Sequence, residues 1–261
     1  MTAVAASLVK ELRDQTGAGM MDCKRALEES EGDLEAARRL LRERGMASAA
    51  KRAERQTPEG LVGYVLDGDV GAMVAVGCET EPVSKNAEFR AFAESALRAV
   101  KDRGPEAVDE LETERQELVG RLGENIRVVG ASRMQAGDGE SIVAYAHPPA
   151  HKIGSMVRVK GDEALARDLA MHIAFAKPRY ISRDEVPKVE VEAEREVLLH
   201  TDDVLSKPEN VREQVVEGRL QKWFADSVLL EQEWFRGGGA TVKQELGPME
   251  VLEFTVYALG E

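Results

Sequence analysis

Three stretches of this chain hold residue types from which a site could be made. TGAGMMDCKRAL (16–27) gathers Gly17, Gly19, Met20, Met21, Cys23 and Lys24. Close glycines suit a phosphate. A cysteine one turn into a helix beside a lysine suits a thiolate nucleophile. Exposed methionines suit a protein partner. CETEPVSKN (78–86) carries Glu79 and Glu81, a pairing suited to acid–base work or to a cation. His147 and His151 bracket Pro148-Pro149 in the spacing of two metal ligands.

Most of this chemistry fails on spacing. A phosphate loop needs GxxxxGK[ST], and a dinucleotide fingerprint needs GxGxxG after a strand. Residues 17–19 supply only GxG, and they follow a helical pattern. Cys23 has no base near it in sequence, since the histidines stand at 147, 151, 172 and 200. A small buried apolar role suits it better. The HxxxH lies in a proline loop rather than on a helix, which argues against zinc. Met20 and Met21 lie about 100° apart on a helix and cannot both point inward, so at least one is exposed. The 78–86 stretch reads as a strand-to-helix turn stiffened by Pro82 and capped by Ser84. On residue types alone, whether it is an acidic capped turn or a site stays open. Apart from that open pair of carboxylates, no catalytic set, metal site or cofactor motif is left standing.

The elements that carry these stretches fall into an α+β arrangement. Residues 3–14 space Val4, Leu8 and Leu12 as an amphipathic helix, ended by Thr16 and Gly17. A second helix runs from Gly19 to about Ser30. A third starts after Asp33, a good N-cap, carries Leu34, Ala37 and Leu41 on one face, and ends at Gly45. Residues 46–59 read as a linker, helical in part. Beyond it, two β-type runs flank Asp67-Gly68-Asp69, a hairpin signal. Helices follow at about 84–102 and 107–122.

The layout then repeats. Leu61, Tyr64, Gly71, Met73, Val74 and Val76 align with Ile142, Tyr145, Gly154, Met156, Val157 and Val159, and each hairpin feeds a helix. An acidic helical stretch covers about 184–226 and is broken at Ser206-Lys207-Pro208. Its stripes of Val211 and Val215, and of Val216, Leu220 and Phe224, make an antiparallel hairpin that projects from the body. Residues 249–259 alternate as a strand. The expected units are 1–55, 56–140, and 141–261 with the hairpin inserted.

The totals narrow the class. The chain has 261 residues, 43% of them hydrophobic, which is enough for more than one folded unit. Its net charge of −13 repels phosphate backbones and argues against direct nucleic-acid binding. Two distant cysteines give no disulfide framework. MTAVAASLVKELRD lacks the apolar core of a signal peptide, and no run is long enough to span a membrane, so a cytoplasmic location is expected.

LVKELRDQTGAGMMDCKRALEESEGD resembles the N-terminal signature of elongation factor Ts, the exchange factor that frees GDP from elongation factor Tu. CETEPVSKN stands where that family has its second signature, commonly Thr-Asp-Phe-Val and a basic residue. The resemblance continues through HIAFAKPRYI, VEGRLQKWF and SVLLEQEWF. It implies a three-helix domain similar to a ubiquitin-associated domain, two core subdomains, and a coiled-coil protrusion. It implies docking on the nucleotide domain of elongation factor Tu through Lys10, Arg13, Met20, Met21 and Lys24, and through Thr80, Glu81, Pro82 and Val83. It places His147, Trp234 and Phe235 toward that partner's C-terminal β domain. It implies no catalytic residue, metal or cofactor on the factor, and leaves open a homodimer or a 2:2 complex. One departure stands out: the family's Asp-Phe is Glu81-Pro82 here.

Three rivals compete. A ubiquitin-associated-type adaptor would not need residues 60–261 in this arrangement. An RNA-binding translation protein is disfavoured by the charge. A metabolic enzyme is disfavoured by the lack of a convergent His, Cys and acid set.

Overall fold

The structure is a computed structural model and describes residues 4–260. Three helices come first: α1 (Ala6–Thr16), α2 (Met20–Glu29) and α3 (Leu34–Arg52). Gly17 ends α1 in the left-handed region at φ 68°, and Asp33 caps α3 by accepting from the amides of Glu35 and Ala36. Val9, Leu12, Cys23, Ala26, Leu27 and Ala37 close a small core.

Gly45 does not end α3, which continues to Arg52 through the first half of the expected linker. The reason is packing. Gly45 faces Gly120 of a later helix, α6 (Glu112–Leu122), and a Cβ at Gly120 would lie 2.9 Å from the Cα of Gly45. The glycine serves a helix crossing, so it stays within the helix despite its poor propensity.

The body has two three-stranded antiparallel sheets, in the orders β1-β2-β3 and β4-β5-β6. The first comprises β1 (Glu59–Asp67), β2 (Val70–Cys78) and β3 (Ile126–Gln135). Between β2 and β3 run the short α4 (Glu81–Ser84), α5 (Ala87–Arg103), a 3-10 helix (Pro105–Leu111) and α6. The second comprises β4 (Ser141–Ala146), β5 (Ile153–Lys160) and β6 (Glu250–Ala258), with α7 (Glu163–Ala176) after β5. Each repeat is thus a hairpin, a crossover and a third strand against the hairpin's second strand. Both ladders carry a bulge at the same aligned step, between Ala75 and Val76 and between Arg158 and Val159.

Alternation builds the layers. Ala72, Val74, Val76 and Cys78 pack on Phe89, Phe92 and Ala96 of α5. Val157 and Val159 pack with Leu169, Ala170 and Ile173 of α7. Met73, Ala75 and Met134 face the other way and meet Met156 of the second sheet and Leu259, just after β6. The order is therefore helix, sheet, sheet, helix. The aligned glycines let the sheets approach: a Cβ at Gly71 would lie 2.7 Å from Ile142, and one at Gly154 2.7 Å from Val62.

The acidic stretch forms α8 (Lys188–Leu199), the short α9 (Asp202–Leu205) and α10 (Glu209–Ser227), with Pro208 just before α10 as its residue type suggests. Val216, Leu220 and Phe224 are its buried stripe, and Val191 and Leu198 of α8 pack in the same region. Arg195 of α8 reaches Glu213 and Glu217 of α10 at 2.7 and 2.8 Å. The short α11 (Val242–Leu246) precedes β6 and opens on a capping box of Thr241 and Gln244. Among the described residues, no helix is long and apolar enough to cross a membrane.

Candidate functional site

The residues singled out in the sequence gather into three surface regions. At the start of α2, Met20 and Met21 are 47% and 62% exposed, so both side chains stand in solvent. The buried face of α2 is filled by Cys23, Ala26 and Leu27, which leaves the methionines no place inside. Lys10 and Arg13 are exposed on α1, and Lys24 is exposed on α2 with a loose pair to Glu28 at 3.7 Å. Cys23 is fully buried, and burial raises its pKa. A buried thiol held in its neutral form is neither a nucleophile nor an oxidation target, as the lack of a neighbouring base suggested.

The second region is the 78–86 turn. Its two carboxylates serve different partners. Glu79 accepts from the amide of Asn125 at 2.7 Å and pairs with Arg55 at 3.3 Å. Glu81 pairs with Lys85 at 2.7 Å, and this contact holds its carboxyl below the usual range. Two carboxylates tied to separate cations do not form an acid–base pair. Pro82 occupies the first turn of α4 and is exposed, while Val83 packs partly against the first core. Ser84 does not cap the long helix. Its hydroxyl donates to the Glu81 carbonyl, and Asn86 caps α5 by accepting from Glu88 and Phe89. The chain needs two extra residues to turn from α4 into α5, which moves the cap to Asn86. Cys78 is buried behind the turn, and burial pushes its thiol up to about 12.

Periodicity misses the group that fixes this turn. Glu124 accepts from the Thr80 amide at 3.0 Å and from its hydroxyl at 2.5 Å. Asn125, fully buried, donates its side-chain amide to the carbonyls of Ala53 and Arg55 at 3.3 and 2.8 Å. The end of α3, the turn and the entry to β3 are therefore clasped together. Glu124 and Asn125 lie in a short loop with no local signal beyond their polarity.

The third region lies on the second repeat. His147 is exposed in the loop after β4, and its Nδ1 lies 2.6 Å from the Tyr145 hydroxyl. The Val62 amide donates to the His151 carbonyl at 2.7 Å, which pins the loop to the first sheet. The neighbouring Lys152 pairs with Glu59 at 3.0 Å, and Glu59 lies opposite Cys78 in the β1–β2 ladder, so this loop and the start of the 78–86 turn are neighbours. Tyr145 in turn packs in the cluster that holds Trp234 and Phe235.

Trp234 itself is only 5% exposed, so its side chain lies inside the fold. Its indole stacks on His172 with ring centroids 5.4 Å apart, so it packs the core and supports Phe235, which is half-buried. His172 is fixed by its bonds. Its Nδ1 accepts from the Phe235 amide at 3.3 Å, which leaves Nε2 to donate to Gln232 Oε1 at 3.0 Å. Burial lowers its pKa, and the bond to Gln232 opposes that shift. Among the described residues, no three His, Cys, Asp or Glu are grouped to hold a metal ion.

A family model described as elongation factor TS matches residues 79–261. Curated relatives described as elongation factor Ts match across nearly the whole chain. That of Halorhodospira halophila is 44% identical, covering 99% of this chain and 92% of its own length. Those of Alkalilimnicola ehrlichii and Deinococcus radiodurans are each 38% identical, covering 99% and 97% of this chain and 93% and 98% of their own lengths. With two repeated α+β units behind a three-helix module, and with matches of this extent, the chain belongs to the elongation factor Ts family.

Proposed function

We propose that the chain is a guanine-nucleotide exchange factor of translation elongation in the cytoplasm, binding elongation factor Tu with GDP and promoting GDP release. The observation that carries this reading is the pair of exposed methionines, Met20 and Met21, on a module locked to the body through Gly45 and Gly120. A docking face and the Thr80–Val83 turn are thereby held in one fixed relation. Lys10, Arg13 and Lys24 add exposed positive charge on the same two helices, α1 and α2, and His147 and Phe235 extend the contact toward the partner's C-terminal β domain.

The mechanism is linkage, not bond chemistry. A GTPase holds its nucleotide through backbone N–H groups and Mg²⁺. A factor that prefers the empty form weakens nucleotide binding by the same coupling that nucleotide exerts on the factor. Disturbing the Mg²⁺ and phosphate site by about 1.4 kcal/mol, if the transition state for release is unaffected, speeds release about tenfold. Pro82 has no aromatic ring to insert into the partner, so exchange here leans on docking at both regions rather than on an aromatic wedge.

The test is stopped-flow release of fluorescent GDP from elongation factor Tu of the same organism. A concentration-dependent acceleration supports exchange without a Phe wedge. Binding without acceleration leaves an adaptor, and neither binding nor acceleration overturns the reading.

A further inference from the structure

The hairpin of α8 and α10 covers one side of α8 and leaves the opposite side in solvent. Val191 and Leu198 pack with Leu220 and Phe224 of α10. On the far side Val189 is 74% exposed and Val197 61% exposed, with Ala193 exposed between them. Residues four apart on a helix advance by only about 40°, so these three form one stripe. A shallow groove of about 360 Å³ runs along it, lined by Val189, Glu192, Ala193, Arg195, Glu196 and Leu199. Single apolar residues are normal on a surface, whereas an aligned apolar stripe with a groove is the pattern of a docking face.

The charge beside the stripe is negative. Glu192 and Glu196 stand exposed on the groove. Along its whole length α8 carries Glu190, Glu192, Glu194 and Glu196 against Lys188 and Arg195. Arg195 is already held by Glu213 and Glu217 of α10 at 2.7 and 2.8 Å.

We propose that this face of α8 docks a basic amphipathic helix of another protein. The partner's apolar residues lie on the stripe from Val189 to Val197, and its lysines or arginines meet Glu192 and Glu196. The 12 residues of α8 span about 18 Å, which seats a partner helix of about three turns. The same charge disfavours other occupants. A second copy on a two-fold axis sets the patch against itself, so Glu192 and Glu196 meet their own counterparts. Nucleic acid and anionic lipid share the sign of these carboxylates. The inference uses no residue of the three regions above and stands apart from the exchange reading.

The experiment is fluorescence anisotropy, with the full chain titrated into a labelled synthetic peptide of about 14 residues that sets leucine and lysine in helical spacing. The expected result is saturable one-to-one binding, micromolar in Kd, that weakens with salt. Combining Val189→Ser with Val197→Ser should weaken it at least about tenfold. Combining Glu192→Gln with Glu196→Gln should weaken it and flatten its salt dependence. All four side chains are exposed, so the fold should tolerate both pairs. Glu43→Gln with Asp138→Asn removes as much charge from exposed sites elsewhere and should leave binding intact. No saturable binding up to about 1 mM peptide would overturn the proposal. So would binding that the valine pair leaves unchanged, an equal loss in the distant charge variant, or equal affinity for a peptide with serine in place of leucine, since each reduces the effect to overall charge. Self-association of the parent that the valine pair abolishes would also overturn it, by giving the face to a second copy.

Discussion

Gly45 and Gly120 touch backbone to backbone: a Cβ built on Gly120 would stand 2.9 Å from the Cα of Gly45. This contact carries α3 past its apparent end and seats the three-helix module on α6. Arg121 adds a second tie, since its side chain passes where a Cβ on Gly17 would stand, 2.7 Å away.

Gly120→Leu should force α3 and α6 apart. Overpacking of a close contact costs about 1–3 kcal/mol. Urea unfolding should show a lower midpoint or a separate early transition for residues 4–52, while the strands keep their amide protection. A variant as stable as the parent would show that the module is not seated through this crossing.

Met20→Ser combined with Met21→Ser should cost affinity and not stability. Both side chains are exposed, so unfolding should move by less than about 0.5 kcal/mol. Loss of a central docking contact is worth about 1–3 kcal/mol of binding, or roughly fivefold to 150-fold in Kd for elongation factor Tu. Unchanged affinity would move the docking face elsewhere.

Pro82→Phe restores the ring common at the family's second signature. If the ring merely lacked its pocket contacts, GDP release should quicken by the equivalent of about 1–3 kcal/mol. No change in rate would mean that the turn, or the partner opposite it, is adapted to proline.

Glu124→Gln should loosen the same turn from behind. The substituted amide still meets Thr80, but with a weaker neutral bond in place of a charge-assisted one. Exchange should slow with unfolding little changed, and hydrogen exchange at the Thr80 amide should speed up.

His172 makes stability depend on pH. Its pKa is lowered by burial, so the unfolded chain binds its proton more readily. Its full contribution is present above about pH 6.5, the ordinary histidine value, and is lost as pH falls through that value toward the depressed one. Unfolding midpoints between about pH 7.5 and 5 should fall in the parent, and fall less in His172→Gln.

Much of this architecture is legible from local pattern. The Asp33 cap, the turn at Gly68, the break at Pro208 and the alternation of 249–259 each express a short-range preference, and the structure keeps them. The repeat is visible because central strands β2 and β5, covered on both faces, keep apolar residues at matching positions. The third strand of the first repeat is not visible. β3 is an edge strand that mixes Arg127, Ser132 and Arg133 with its apolar residues, and only its pairing to β2 makes it a strand.

The candidate site divides along the same line. Adjacent methionines on one helix cannot both be buried, so residue order by itself determined that this end of α2 meets solvent. Tertiary structure decided what order leaves open. Gly45 stays helical because Gly120 comes from 75 residues away to fill its side, Trp234 turns inward because His172 offers a ring to stack on, and Glu124 reaches Thr80 across 44 residues. Local preferences act within a few residues, whereas close contact, burial and hydrogen-bond partners are set only when distant segments meet.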